Sequence, residues 1–389
     1  MDSAQTRYPG SVCSAAFAIW DLNCGVSKKQ IGINQLTTMS HLDAANPVVN
    51  GQIDHGRVFV TFTRHTDQKI THGLLFESLL RALKERGVIL KAGQPTTLVD
   101  LGCGEGRTAY EMIDAINRVH PQDHGVNYYG LDDDDRFVRS TEKALEAVQG
   151  PQRLRVINVQ RANVLQGEPL PVATMDDVLL TLGHVLYYTH SPAGRDETRR
   201  RIVGVLERVL ALLGRDGLCL LNHNAHHCQL ATLRASVANS VEARPTSIVA
   251  EIAEEKRLSV MSLFAPFRLG FPRLTPIQWQ KTKEATSYQA EAQRDPRFLT
   301  ALELLSFVAQ RSLNSLAQEQ KLATFVDKLT STLDCDGVLH GCSEYQLLLS
   351  PRQSPGFREG VEAARQQSEQ AMDCIVRKAA QALTLPYGE

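Results

Sequence analysis

Three glycines at alternate positions, Gly102, Gly104 and Gly106, follow an apolar run of β type (Leu98, Val99, Leu101). Helical periodicity begins directly after them, with Ala109, Met112, Ile113 and Ile116 on one face. Glycine at such a bend permits positive φ and lets a ligand lie against bare backbone. The helix start behind it brings unpaired N–H groups and the positive end of the helix dipole, which suits a carboxylate or a phosphate. A dinucleotide fingerprint, G-x-G-x-x-G, spaces its last two glycines three apart. Here they are two apart, Arg107 occupies the next position, and an acid, Asp100, stands just before the bend.

Four further places carry polar side chains directly after apolar runs. A run of four acids, Asp132 to Asp135, ends Val126–Leu131. Arg161-Ala162-Asn163-Val164 follows Arg153–Val159, and Gly183-His184-Val185-Leu186-Tyr187-Tyr188 follows Asp177–Leu182. His223, His226 and His227 follow Leu218–Leu221. The acid run reads equally as a solvated turn and Asn163 as a turn residue. His184 could orient or deprotonate a nucleophile, since imidazole titrates near neutrality, or hydrogen-bond within the fold. Tyr187 and Tyr188 could form an aromatic wall for a cation, or one of them could be ordinary core. The three later histidines lack the carboxylates or cysteines that would complete a metal set, so no metal is expected; a polar pocket wall and a helix N-terminal surface are the readings left.

The elements that must hold these residues alternate. A helix runs on from Thr66, a plausible N-cap, through Ile70, Leu74, Leu79, Leu80 and Leu83. Five strands then alternate with helices, the longest at Asp196–Leu213, which predicts a mostly parallel, doubly wound α/β sheet. Ligands in such a sheet sit beyond the carboxyl ends of the strands, where the residues above fall. Later come helices at Gln229–Val241, Thr300–Leu316 and Lys321–Leu333, at least one strand within 258–290, a strand at Tyr345–Leu349, and one amphipathic helix over 359–383. The division read from this is an arm or partial lid over 1–55, a core over 56–260, late strands with a helical cap over 261–350, and a terminal helix over 351–389.

The stretch V-D-L-G-C-G-E-G-R, from Val99 to Arg107, resembles the glycine motif of the class I methyltransferases that use S-adenosylmethionine (SAM), and the order of pieces extends the resemblance over about residues 60–225. The resemblance implies a Rossmann-like sheet that binds SAM and releases S-adenosylhomocysteine. It implies that Asp100, Gly102, Cys103 and Gly104 border the cofactor. Asp132 with Asp133 would accept from the ribose hydroxyls, Asn163 with Val164 would meet the adenine, and Gly183 and Thr66 would close the site. Asn163 departs from the aspartate that this family often has there. Phe59, Phe62, His65-Thr66 and the His184–Tyr188 stretch are similar to the small-amine, histamine N-methyltransferase type, which implies that His184, Tyr187 and Tyr188 line the substrate pocket; from the residues themselves, His184, Tyr187 and Tyr188 are the catalytic candidates, and Tyr188, His223, His226 and His227 the substrate-binding ones. That type has glutamine where His184 stands, so the substrate does not carry over.

Composition limits the partners. Of 389 residues, 42 are basic and 43 acidic, and no basic stripe with interleaved aromatics points to nucleic acid. No N/D-P-P-Y tetrad for base amines follows the fourth strand. The eight cysteines are scattered without a C-x-x-C pair, which suggests reduced thiols and a cytoplasmic setting. The apolar run Val12–Trp20 is too short to span a bilayer and has no charged segment before it, so neither membrane nor targeting segment is expected. The expected function is methyl transfer from SAM to a small molecule, at nitrogen. The alternatives are O-methylation of a carboxylate or hydroxyl, and a SAM- or nucleoside-binding partner subunit without catalysis. The sequence leaves the oligomeric state open.

Overall fold

The computed structural model describes residues 48–49, 52–53 and 55–382, apart from 88, 91–94, 121–124, 147–153, 167–177, 190, 192, 214–216, 226–227, 238–244, 285–293 and 352–354. Almost all of the expected N-terminal arm therefore lies outside the described residues. A two-residue ladder, β1 (Val48–Val49) with β2 (Gln52–Ile53), precedes helices α1 (His55–Arg64) and α2 (Gln68–Glu85). The alternating part follows: β3 (Thr96–Leu101), α3 (Arg107–Val119), β4 (Val126–Asp132), α4 (Asp135–Glu146), β5 (Leu154–Arg161), β6 (Val178–Gly183), α5 (Arg195–Leu212) and β7 (Leu218–Asn224). Next come α6 (Gln229–Ala235), α7 (Pro245–Glu255) and the long strand β8 (Ser259–Gly270). The cap helices are α8 (Pro276–Thr282), α9 (Pro296–Ala309), α10 (Leu313–Gln318) and α11 (Leu322–Thr330). The chain returns through β9 (Val338–Ser350) to α12 (Pro355–Gln370) and α13 (Met372–Ala382).

Seven strands make one sheet in the order β5-β4-β3-β6-β7-β9-β8. The first five are mutually parallel, while β9 runs antiparallel to β7 and β8 antiparallel to β9. This is the mostly parallel, doubly wound, Rossmann-like sheet that the alternation predicts, and the order reverses between β3 and β6. The central strands are apolar on both faces because helices cover both. On one face Leu75, Leu79 and Leu83 of α2 and Met112 and Ile116 of α3 are buried in one cluster with Leu98, Leu220 and Leu348. On the other, Ile202, Val205, Leu206 and Val209 of α5 join Val99, Leu180 and Leu221.

Several boundaries differ from the sequence expectation. The helix expected over Thr300–Leu316 is two, α9 and α10, because Gln310 takes a left-handed φ of 52° and Ser312 caps the second by accepting from the Ser315 N–H. The tail is likewise two helices, α12 and α13, meeting at Ala371. The strand expected at Tyr345–Leu349 begins at Val338, and the helix expected to reach Val241 ends at Ala235. Thr66 is not the N-cap of α2: Asp67 holds that position, and the Thr66 hydroxyl donates to the Arg268 carbonyl at 2.9 Å. The 260/261 division falls inside β8, which pairs with β9 from Ser259 to Gly270 with a register shift between Phe267 and Leu269. No helix among the described residues is long and apolar enough to cross a membrane.

Candidate functional site

The bend after β3 takes the form its glycines permit. Gly102, Gly104 and Gly106 have φ of 77°, 59° and 82°, a region that side-chain-bearing residues rarely enter. A Cβ at Gly102 would lie 2.5 Å from Val185, and one at Gly106 would lie 2.9 Å from the Thr141 backbone. The bend's N–H groups are turned toward β4. Those of Gly102 and Cys103 donate to the Leu131 carbonyl at 2.7 and 3.1 Å, and that of Gly104 donates to Asp132 Oδ2 at 2.9 Å. The bend so arranged has few donors left for a phosphate, and Val185, Phe59 and Thr141 pack against its three glycines.

Asp132, the last residue of β4, is mostly buried and accepts a second backbone N–H, from Asp134, at 3.1 Å on Oδ1. Burial raises its pKa to about 6, against the lowering effect of those two N–H groups. Each of its oxygens keeps a further lone pair for a hydroxyl donor. Asn163, beyond β5, holds its own turn: Oδ1 accepts from the Leu165 N–H at 2.9 Å, and Nδ2 donates to Asp133 at 3.3 Å. Val164 is buried, and its carbonyl accepts from Arg208. Bend, Asp132, Asp133 and Asn163 are thus joined in one hydrogen-bonded rim across three adjacent strand ends.

Asp100 lies beneath this rim. Its carboxylate is buried and accepts from the Thr181 hydroxyl at 2.8 Å and the Tyr128 hydroxyl at 3.1 Å. Burial pushes its pKa up, and the two hydroxyls pull against that. Cys103 is also buried, and burial pushes its thiol well up, so it stays protonated.

His184, just past β6, has a φ of 59°, a left-handed backbone that costs a non-glycine residue about 1–3 kcal/mol and clusters at functional positions. Its N–H donates to the Asn222 carbonyl at 3.1 Å, and its Nε2 lies 2.7 Å from Glu344 Oε1. Burial lowers the His184 pKa and Glu344 opposes the shift, so the neutral imidazole is the resting form near pH 7. Tyr188 stands in the following short turn, Leu186–Thr189, with 68% of its surface exposed. Burial of its hydroxyl and the charges of Asp132 and Asp133 raise its pKa, which places it at the rim. The Tyr187 side chain lies outside the described residues, as do His226 and His227. His223 is buried on β7.

Sequence reasoning missed four residues here: Gln68, Lys69, His72 and Glu344. Gln68 and His72 lie one turn apart on α2; Gln68 donates to the fully buried Glu344 of β9, and His72 Nε2 is in ion-pair contact with it. Lys69 is buried as well, with its ammonium 5.9 Å from the centre of the Phe59 ring. Burial lowers its pKa, while Glu344, Asp100 and Glu105 raise it. The connection between α1 and α2 sets this geometry. The Asp67 carboxylate accepts from the Arg268 N–H at 2.6 Å and from its guanidinium at 2.8 Å, and the Gly270 N–H donates to the His65 carbonyl at 2.8 Å. These bonds tie the start of α2 to β8 and so set Gln68, Lys69 and His72 over β9.

Helix α1 covers the bend. Phe59 would lie 3.4 Å from a Cβ at Gly104, Thr63 donates to Glu105, and Arg107 donates to the Thr63 carbonyl. On its other side Arg57 and Thr61 donate to Glu303 of α9 at 2.6 and 2.5 Å. Among the described residues no group of three or more acids, histidines and cysteines converges as a metal site would require.

No protein-family model matches the chain, and no curated protein matches it. Among solved structures it is similar to the MccD protein, at 12% identity over 70% of this chain and 96% of that one, with a TM-score of 0.37. It is similar to the [4+2]-cyclase SpnF at 14% identity, 72% and 82% coverage and a TM-score of 0.38. A geranyl diphosphate methyltransferase, solved with GPP and sinefungin, shares 12% identity over 69% and 76% of the two chains with a TM-score of 0.33. One of these is a cyclase and another a methyltransferase, so what this chain does has to be read from its own residues.

Proposed function

We propose that the chain is a SAM-dependent methyltransferase acting on a small molecule, with nitrogen as the attacked atom. The observation that carries this reading is the rim across the ends of β3, β4 and β5, where the bend at 102–106 bonds to Asp132 and Asn163 bonds to Asp133. The donor set fits the nucleoside part of SAM: a carboxylate for two ribose hydroxyls and an amide at the position where adenine would lie. It fits the cationic part too, since the N–H groups of Gly102, Cys103 and Gly104 are taken up by β4 and the buried surroundings carry Asp100, Glu105 and Glu344.

When bound, SAM would supply a methyl group on a sulfonium leaving group. The chain's own part is to orient the acceptor and to keep its nucleophilic atom unprotonated, an arrangement that can lower a barrier by about 7–11 kcal/mol in the best cases. Asp132, Gly102 and Gly104 hold the nucleoside, while His184, set on left-handed backbone beside them, orients the acceptor and takes up its proton. Tyr188 borders the same space, and its exposed ring suits a cationic or aromatic acceptor.

Isothermal titration with SAM and S-adenosylhomocysteine tests the binding, and transfer of a labelled methyl group to a library of small amines, acids and alcohols tests the chemistry. Saturable binding with amine methylation supports the proposal. Transfer to oxygen, read by mass spectrometry and NMR of the product, replaces the nitrogen assignment. Binding without turnover on any compound makes the chain a nucleoside-binding subunit, and the absence of binding ends the reading.

A further inference from the structure

Glu344 sits at 0% side-chain exposure between β9 and α2, and three side-chain nitrogens meet it. Nε2 of His184 lies 2.7 Å from Oε1, Nε2 of His72 is in ion-pair contact with Oε2, and Nε2 of Gln68 donates to Oε1. Burial pushes a lone carboxylate toward its neutral form, but here His184 and His72 hold Glu344 ionised, well below the usual carboxylate range. The two imidazole rings lie 6.5 Å apart and within 17° of parallel.

An ionised carboxylate accepts and cannot donate, so each histidine must place its N–H on the nitrogen that faces it. A neutral His184 therefore carries its lone pair on Nδ1. Nε2 is sealed from solvent while the side chain keeps 17% of its exposure, so the open part of the ring lies away from Glu344. The other charges facing this ring are Lys69 and His72 of α2, and Lys69 faces Asp100 and Glu105 in turn.

We infer that Glu344, braced by His72 and Gln68, is a positioning residue that holds His184 as an Nδ1 base, and that the acceptor is one whose nucleophilic atom still carries a proton. That class comprises primary and secondary amines, and it leaves out tertiary amines and thioethers. The inference rests on the methyl-transfer reading above. In the step, the acceptor's lone pair forms the new N–C bond while the methyl carbon's bond to sulfur breaks and leaves its electron pair on sulfur. The nitrogen, now cationic, gives its proton to Nδ1. The imidazolium so formed faces Glu344, and its proton passes to solvent as product leaves.

The test uses the full chain labelled with 15N at histidine and two-bond 1H–15N spectra from about pH 5 to 8. Loss of signals in His184→Gln and His72→Gln assigns the two rings. His184 should show the Nε2–H tautomer with its titration midpoint below the ordinary histidine value, and Glu344→Gln should move that midpoint lower still. An Nδ1–H tautomer in the unaltered protein overturns the inference whether or not Glu344→Gln folds, and so does a midpoint that Glu344→Gln leaves in place. With an acceptor from the library, Glu344→Gln should lower kcat about a hundredfold and shift the acidic limb of the kcat profile downward, with KM for SAM within about twofold. Loss confined to KM overturns the assignment. Failure of SAM to bind in calorimetry would remove the methyl-transfer reading and the acceptor class, while the tautomer spectrum would still decide the role of Glu344.

Discussion

In the proposed SAM site, Asp132 is the residue whose charge state matters most for the nucleoside. Its carboxylate titrates at about 6, raised from 3.8 chiefly by burial. Ribose hydroxyls donate to the ionised form, so affinity for S-adenosylhomocysteine should hold above pH 7 and weaken as pH falls through about 6. Asp132→Asn should weaken binding roughly tenfold and flatten that dependence, as calorimetry at several pH values would read. A pH dependence unchanged in Asp132→Asn would assign the titration to another group. Asp132 was legible because it ends an apolar run. Glu344 was not, because the expected strand began one residue later, at Tyr345, and its partners lie in a helix far back in the chain. A signal was present: Glu344, Gln346 and Leu348 share one face of a strand, and Gln68 and His72 share the stripe of α2 that also carries Leu75 and Leu79. Polar residues at inward positions of both elements mark a buried polar site.

Among elements, α1 has the most exposed dependence on its neighbours. It reaches the cap through Phe62, which stacks on Phe307 of α9 and is buried in the cap core, and through Glu303 of α9, which accepts from Arg57 and Thr61. Glu303→Ala removes that acceptor from both and should cost about 1–3 kcal/mol. Amide exchange should then quicken through His55–Arg64, while α2, tied separately by Asp67 to Arg268, keeps its protection. Equal loss of protection in both helices would show that α1 and α2 move together. Long periodic helices such as α5 were legible almost to the residue. The break between α9 and α10 was not, because apolar spacing continues through Leu313 and Leu316, and only the serine cap at 312 announces the new start.

At the scale of the whole molecule, β8 and β9 serve two cores at once. Leu263 and Leu348 pack with α2 and α3, while Phe267, Leu269, Leu339 and Cys342 pack with Phe298, Leu305 and Phe325 of the cap. Cap and sheet should therefore unfold together. In a Trp20→Phe background, the fluorescence of Trp279 in α8 and the far-UV circular dichroism should give coincident urea transitions, and an earlier fluorescence transition would show the cap melting by itself. The alternation of strands and helices made the parallel sheet legible, whereas the antiparallel closure was hidden because nothing local says that strands this far apart in sequence pair. That pairing has a consequence for how the protein can change. Gly270 and Val338 are cross-strand partners, so everything from 271 to 337 leaves and rejoins the sheet at a single doorway. A lineage can exchange the whole excursion at that doorway without redrawing the order of strands or displacing the carboxylate six positions further along.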